Sequence, residues 1–409
     1  MSPMTVLLIF TAMLLGALLI EPVASLLRLP FASLLVFVGF GASELLVRLG
    51  VDTGLRWYHF TDLILHVFLP ILVYQAAFSL DLRQVMRNIV PILLLAVPLF
   101  LIATLTIGAG LYFGIDHPAG FPWPAALLAG AILSATDPTA IGALLHRLGV
   151  RRAAVLLEGE SLFNDATAIV LFAVLLTLAS TPVQGSDYAE AVLQFFRLFA
   201  GGLIFGGLIG VVGVGLMFTF TGPIPCAIIT VATIIFSVYL SETLFQVSAV
   251  MAVLGAGLIT GEANRRFCRV AFLDTLWEFH AYIAQALIFL LVGATITLDM
   301  FRSQWLAMAI GIVSVLAARG LIVYLITSPM CRIPAMPALS QGDGLVLFWG
   351  GLRGAVCLAL ALSLPLELEG WYTVQSVAYG VVLFSLLVQG TTLEPMIRLL
   401  RRRAATRPD

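Results

Sequence analysis

The chain has 409 residues, 61% of them hydrophobic and 11% charged, whereas a soluble domain carries about 45–50% apolar and about 25% charged residues. These proportions exclude a disordered chain and a soluble multi-domain enzyme. The 21 cationic side chains are all arginine and nearly balance 22 acidic ones, so no basic surface can hold a polyanion and no nucleic acid is expected as a partner.

What remains is an all-α polytopic protein of the lipid bilayer. A membrane-spanning helix needs about 20 mostly apolar residues. Runs of that kind predict thirteen, at 4–27, 30–49, 60–80, 88–114, 122–146, 153–180, 190–220, 223–241, 244–262, 276–297, 303–328, 343–365 and 372–398. The first run carries no basic leader or cleavage site, so it reads as a span rather than a cleaved signal peptide. Cys226, Cys268, Cys331 and Cys357 are too scattered for a disulfide framework or a zinc site.

Arginine placement sets the orientation. Fifteen arginines, among them Arg28, Arg83, Arg87, Arg147, Arg151, Arg152, Arg265, Arg332 and Arg401, fall on the inner side if the N-terminus is outside. Four, Arg48, Arg56, Arg197 and Arg302, fall on the outer side. The expectation is a multi-pass cell (plasma) membrane protein with its N-terminus outside and its C-terminus in the cytoplasm.

The halves echo one another. Ile71–Leu82 (ILVYQAAFSLDL) returns as Phe289–Met300 (FLLVGATITLDM), and Phe37–Gly41 returns as Val253–Gly257, displaced by 218 and 216 residues. Seven spans of displacement invert the second copy. The expected organisation is a first six-helix inverted repeat over 1–187, a linking helix over 188–221, a second repeat over 222–400 and a short cytoplasmic tail over 401–409. Inverted repeats whose broken helices meet near the midplane are a transporter architecture.

Charged groups inside a membrane cost about 2.5–3.5 kcal/mol each at the helix centre, so each asks for a reason. The fifth span carries Ser134-Ala135-Thr136-Asp137-Pro138, and Pro138 should open the helix near Thr136 and Asp137. Opening frees carbonyls that can ligate a small cation where they line a cavity. The sixth carries Glu158-Gly159-Glu160-Ser161-Leu162-Phe163-Asn164-Asp165, and helical spacing stacks Ser161 under Asp165 and Glu160 under Asn164. Hard oxygens of this kind suit sodium-like cations. Burial favours the neutral form of a carboxyl group, so one such group can hold a proton or a cation. In the second half, Gly350–Gly354 interrupts the twelfth span around Arg353, and Arg319 precedes Gly320 in the eleventh. Buried guanidinium groups need anionic partners. Glu160 with Arg353 is the preferred pair, leaving Arg319 to a carbonyl end or another acid.

With Ala135-Thr136-Asp137-Pro138, Glu160-Ser161, Asn164-Asp165, Arg319 and Gly351-Leu352-Arg353-Gly354 in this order, the chain resembles sodium/proton antiporters of the cation:proton antiporter superfamily, in the NhaP/NHE-type branch. The resemblance implies two inverted sets of six helices around a linking seventh, with two broken, crossing helices. Spans four to six and eleven to thirteen would form a moving core, and the others a panel that forms a homodimer. Asp165 would alternately take cation and proton, with Ser161 and the Thr136 carbonyl as further metal-ion ligands. Asn164 and Asp137 would brace the crossing. The implied activity is exchange of sodium, or lithium, for protons in pH and sodium homeostasis, with no cofactor beyond the transported ions. A single titrating carboxylate is neutral with either passenger, which favours one-for-one electroneutral exchange. One position departs. Family members usually place a glutamate after Pro-x-x-x-Phe in the third span, whereas Pro70 here leads to Gln75, an amide ligand with one negative charge fewer.

Two other readings stand beside this one, a potassium/proton antiporter on the same scaffold and a non-transporting membrane sensor. An enzyme is not expected, because His59, His66, His117, His146 and His280 are isolated and form no Ser/His/Asp or HExxH arrangement. His66 and His280 read as satisfied helix residues.

Overall fold

The structure is a computed structural model and describes residues 3–27, 29–50, 61–115, 121–137, 144–145, 148, 150–180, 187–327 and 341–405. Pro138, Arg28, Arg56, Arg147, Arg332, Arg407, Cys331, His59, His117 and His146 lie outside the described residues.

The described residues form helices and no strand. In chain order these are α1 (Pro3–Leu27), α2 (Phe31–Arg48), α3 (Thr61–Ser79), α4 (Leu82–Arg87), α5 (Ile89–Gly114), α6 (Trp123–Ser134), α7 (Arg151–Ser180) and α8 (Asp187–Thr219). There follow α9 (Pro223–Phe245), α10 (Ala249–Ala263), α11 (Ala271–Thr295), α12 (Leu298–Thr327), α13 (Gln341–Trp349), α14 (Ala355–Leu362) and α15 (Trp371–Leu400). Eight helices among the described residues are long and apolar enough to cross a membrane, on α3, α5, α7, α8, α9, α11, α12 and α15. Shorter apolar helices lie in α1, α2 and α6.

Two of the expected spans are discontinuous. The run 122–146 is helical as α6 and unwinds after Ser134, and the run 343–365 is split into α13 and α14. Elsewhere the helices outrun their apolar stretches. α11 begins at Ala271 rather than near 276, and α12 at Leu298 rather than near 303, so Asp274 and Asp299 occupy first turns. Helix hydrogen bonding continues past the apolar run, and an acid in a first turn complements the helix dipole. Pro70 and Pro98 do not break α3 and α5, because a one-turn widening precedes or contains each (Ile64–Phe68 and Leu95–Leu99). Such widenings relieve the clash of the ring with the preceding turn.

Packing sorts the helices into two groups. α5, α6, α7, α12, α13, α14 and α15 pack on one another, while α1, α2, α3, α8, α9, α10 and α11 form the second set. This is the division expected between spans four to six with eleven to thirteen and the remainder. Within the second set α2 and α11 approach closely through Gly39 on the Leu290 carbonyl and Gly293 on the Val36 carbonyl, the small-residue contact by which membrane helices gain packing. The two groups meet where α3, α8 and α11 face α7 and α14.

Candidate functional site

The unwound stretches after α6 and after α13 meet and bond to each other. Ala135 leaves the helix in extended geometry (φ −61°, ψ 133°), and Thr136 and Asp137 continue without helical bonding. The Asp137 amide donates to the Leu352 carbonyl at 2.7 Å, and the Ala355 amide donates to Asp137 Oδ2 at 3.4 Å. Gly354 permits this approach, since a Cβ there would collide with the Asp137 carboxylate. From the other side Arg353 Nη1 donates to the carbonyls of Ser134 at 3.1 Å and Ala135 at 3.0 Å. These are the acceptors that an interrupted helix leaves without intrahelical donors. The Arg353 amide donates to Ser385 Oγ at 2.9 Å.

α7 runs continuously past the crossing and braces it. Asn164 Nδ2 donates to Thr136 Oγ1 at 3.0 Å, and the Thr136 amide donates to Asn164 Oδ1 at 3.1 Å. Asn164 and Asp137 thus both bond to the unwound stretches. The expected pairing of Glu160 with Arg353 is not. Arg319 of α12 takes both Glu160 oxygens, Nη1 to Oε1 and Nη2 to Oε2 (3.0 Å for the latter), and its Nε donates to the Leu347 carbonyl at 2.9 Å. Two parallel bonds match the fork of a guanidinium to a carboxylate. Arg353 instead supplies the donor that the opened carbonyls require. Both arginines are almost completely buried, so leaving either without partners would be costly.

Asp165 lies one helical turn beyond Ser161 on α7 and is half-buried. Its Oδ1 is buried with no hydrogen-bond partner. Asp137 and Arg353 are its charged neighbours, yet the Arg353 guanidinium donates to main-chain carbonyls. A cavity of about 340 Å³ opens onto this carboxylate, and its polar lining is Gln75, Ser79, Asp137, Glu158, Ser161, Asp165 and Gln285. The rest of the wall is mostly aliphatic, including Leu72, Val73, Leu162 and Val356. Gln75 and Ser79 come from α3 and Gln285 from α11, whereas Glu158, Ser161 and Asp165 come from α7. The cavity thus lies between the two helix groups.

Of the residues expected to hold an ion, Asp165, Ser161 and Gln75 line the cavity, and Asp137 joins them. Thr136 is not in the lining, and its amide and hydroxyl are both engaged with Asn164. Glu160, Asn164 and Arg319 face the supporting network. Three lining groups carried no sequence assignment. Glu158 sits three residues before Ser161 and Ser79 four after Gln75, spacings that put each on its neighbour's face. Gln285 has no such signature, because only the packing of α11 brings it here. His280 Nδ1 pairs with the Leu276 carbonyl at 2.7 Å and His66 Nδ1 with the Asp62 carbonyl at 3.0 Å; neither lines the cavity.

A helical membrane fold with two broken helices tied through their unwound middles, and a cavity ending on an unpartnered carboxylate oxygen, defines a secondary transporter. The family model described as sodium/hydrogen exchanger, transmembrane, matches residues 3–399, and the chain belongs to that family. It is 34% identical over 392 residues to the Na(+)/H(+) antiporter ApNhaP of Aphanothece halophytica, covering 94% of this chain and 73% of that one. It is also 34% identical over 396 residues to the Na(+)/H(+) antiporter NhaP of Pseudomonas aeruginosa, covering 91% of each. The solved structure of the sodium proton antiporter MjNhaP1 of Methanocaldococcus jannaschii superposes with a TM-score of 0.81 at 20% identity, over 97% of this chain and 99% of that one.

Proposed function

We propose that this protein exchanges sodium for protons, one for one, by alternating access to Asp165. The observation that carries the reading is the Asp165 Oδ1 atom, buried without a hydrogen-bond partner on a carboxylate that lines the cavity. An acceptor oxygen left unsatisfied in a site reached by a polar cavity asks for a proton or a cation. Ser161 and Asp137 supply further oxygens in the same lining, and Gln75 an amide oxygen in place of a charge. The Thr136 carbonyl, one residue behind the wall, is a further ligand in this reading.

Bound proton and bound cation are mutually exclusive at one carboxylate. Sodium arriving through the cavity displaces the proton, and the neutral site then carries its passenger across. The crossing belongs wholly to one helix group, so α5–α7 with α12–α15 move as the carrier against the other set. In this reading the chain consists of two inverted repeats, 1–187 and 222–400, joined by the helix over 188–221. It forms a homodimer through the second group, lies in the cell membrane with its N-terminus outside, and performs no enzymatic chemistry. Replacement of a carboxylate by Gln75 lowers the field at the site and favours larger cations, which keeps potassium as the second passenger to be tested.

The decisive experiment is exchange in proteoliposomes under an imposed proton gradient, comparing sodium, lithium and potassium. Asp165→Asn is expected to abolish it with all three. Exchange that persists in that variant removes the mechanism.

A further inference from the structure

The cavity occupies only one end of the seam between the helix groups. At its rim Ser79, the last residue of α3, is exposed. α2 and α11 run in the same sense, with Phe31 stacked on Tyr282, Gly39 against Leu290 and Ser43 Oγ donating to the Ala294 carbonyl. α3 returns in the opposite sense, so the C-terminal end of α11 lies away from Ser79. On α11 the cavity reaches Ala281 and Gln285, and residues 286–293 beyond them are all buried. All of α14, from Ala355 to Leu362, is buried as well. One end of the seam is open and the other is packed shut.

A hydroxyl pair crosses the shut end. Thr295 closes α11, in the second helix group, and Tyr379 belongs to α15, in the group that carries Asp165. Their hydroxyl oxygens lie 2.9 Å apart. Thr295 Oγ1 donates to the Val292 carbonyl at 2.7 Å, so its one proton is engaged and the Tyr379 hydroxyl donates to it. Tyr379 is 1% exposed. It stands six residues before Ser385, which bonds to the crossing, and so about 9 Å beyond it along α15. Only Ile296 and Thr297 separate α11 from α12, so the chain passes between the groups directly after this bond. The first half of the chain has no counterpart. In the match of residues 71–82 with 289–300, Thr295 falls on Ala77, a buried methyl group against Gly257 of α10.

We propose that the hydrogen bond from Tyr379 to Thr295 is a latch that holds the site open toward Ser79 and sets how often it faces the other side. A slide of one group past the other pulls the two hydroxyls out of bonding range. The Tyr379 donor is then stripped of its acceptor in a dry seam, and a buried donor left unpaired is costly. The opposite facing carries that cost and, with Ala77 in the matching place, gains no equivalent bond there. Apparent affinity at a face scales with the fraction of molecules open to it. The latch therefore raises KM for sodium at the shut face without touching an ion ligand. The proposal rests on the exchange reading above, but its first test does not depend on transport.

That test is hydrogen–deuterium exchange of the native protein, Tyr379→Phe and Thr295→Val, followed at residues 286–297 of the shut end and 75–80 of the cavity rim. Loss of one hydrogen bond raises the population open at the shut end about 3–10-fold, and residues 286–297 are expected to exchange faster by that factor in either variant. The double variant should add less than about twofold to the single ones, because both remove the same bond. Residues 75–80 should exchange no faster than in the native protein, whereas general loosening would speed both segments. Tyr282→Phe removes a hydroxyl bond to Glu21 (3.3 Å) within the second helix group and should change neither segment. Unchanged exchange at 286–297 overturns the proposal, as does equal acceleration of both segments or the same acceleration in Tyr282→Phe. The second measurement is sodium/proton exchange in right-side-out and inverted membrane vesicles, with sodium presented to one face at a time. Tyr379→Phe is expected to lower KM about 3–10-fold at the face opposite Ser79 and to change it by less than about twofold at the Ser79 face. Equal changes at both faces overturn the latch. Absence of transport by the native protein removes the exchange reading alone, and the deuterium comparison still decides the latch.

Discussion

Both buried guanidinium groups are committed to partners other than Asp165. Arg319 holds Glu160 and the Leu347 carbonyl, and Arg353 holds the carbonyls of Ser134 and Ala135. Asp165 Oδ1 is left without a hydrogen-bond partner, as the proposed exchange requires. The Glu160–Arg319 pair carries a stability prediction. Removing one partner of a buried ion pair strands the other charge and costs about 3–5 kcal/mol, so Glu160→Ala should lower the Tm of the purified protein steeply. Glu160→Ala with Arg319→Met should recover a large part of that loss, because no stranded charge remains. Gln75 carries a functional prediction. Gln75→Glu adds a charge to the cavity and should lower the KM for sodium several-fold, with the gain measured in the same proteoliposome exchange; an unchanged KM and pH profile would place Gln75 outside the ion's path. These roles were unequally legible in sequence. That Asp165 and Ser161 share a helix face follows from helix periodicity alone. Which arginine reaches Glu160 does not follow, because it depends on how α12 is rotated against α7.

At the scale of the elements, two features set the shape of the crossing and its approach. The first is the backbone contact at Gly354. Gly354→Ala would drive a methyl group into the Asp137 carboxylate and separate the unwound stretches, so both Tm and exchange should fall. Gly320→Ala is the matched control, since its nearest neighbour would lie at 3.5 Å from the new Cβ, and it should be tolerated. The second is the turn from α3 into α4. Asp81 caps α4 by accepting from the amides of Arg83 at 3.0 Å and Gln84 at 3.4 Å. Donation from the Gln84 side chain holds the Asp81 carboxyl below the usual carboxylate range. A folded value below the unfolded one makes the cap's contribution present above about pH 4 and lost as pH falls through the depressed value. Asp81→Ala should therefore cost about 1 kcal/mol at neutral pH, read as a lower Tm, and the difference from the native protein should shrink under acid. Both interruptions were visible in sequence, one from the Thr-Asp-Pro run and the other from the glycines around Arg353. The bonds that join them were not, because main-chain pairing between distant segments leaves no trace in side-chain spacing. Gln285 was equally hidden, because only the packing of α11 brings it to the cavity.

For the whole molecule, the charge count at the site makes a prediction about voltage. One carboxylate that carries either a proton or a monovalent cation crosses neutral in both directions. Exchange should proceed at the same rate with and without an imposed membrane potential, and turnover should carry no current. A measured current would require a second titrating group. The division into two helix groups is the one implied by the family resemblance; arginine placement and apolar runs report span positions and orientation, not which helices pack together. The count and limits of the spans were less legible, since α11 and α12 extend beyond their apolar stretches and two crossings are discontinuous.

The ties between the unwound stretches run entirely within the helix group that carries Asp165. The polar knot therefore accompanies its passenger during the exchange proposed here, and none of its main-chain groups is unwrapped into hydrocarbon along the way. The work of turnover then falls on the greasy seam around that bundle and on the lipid that must reshape about it. Bilayer thickness and fluidity become rate-setting variables in their own right, acting on a machine whose chemical centre stays folded shut.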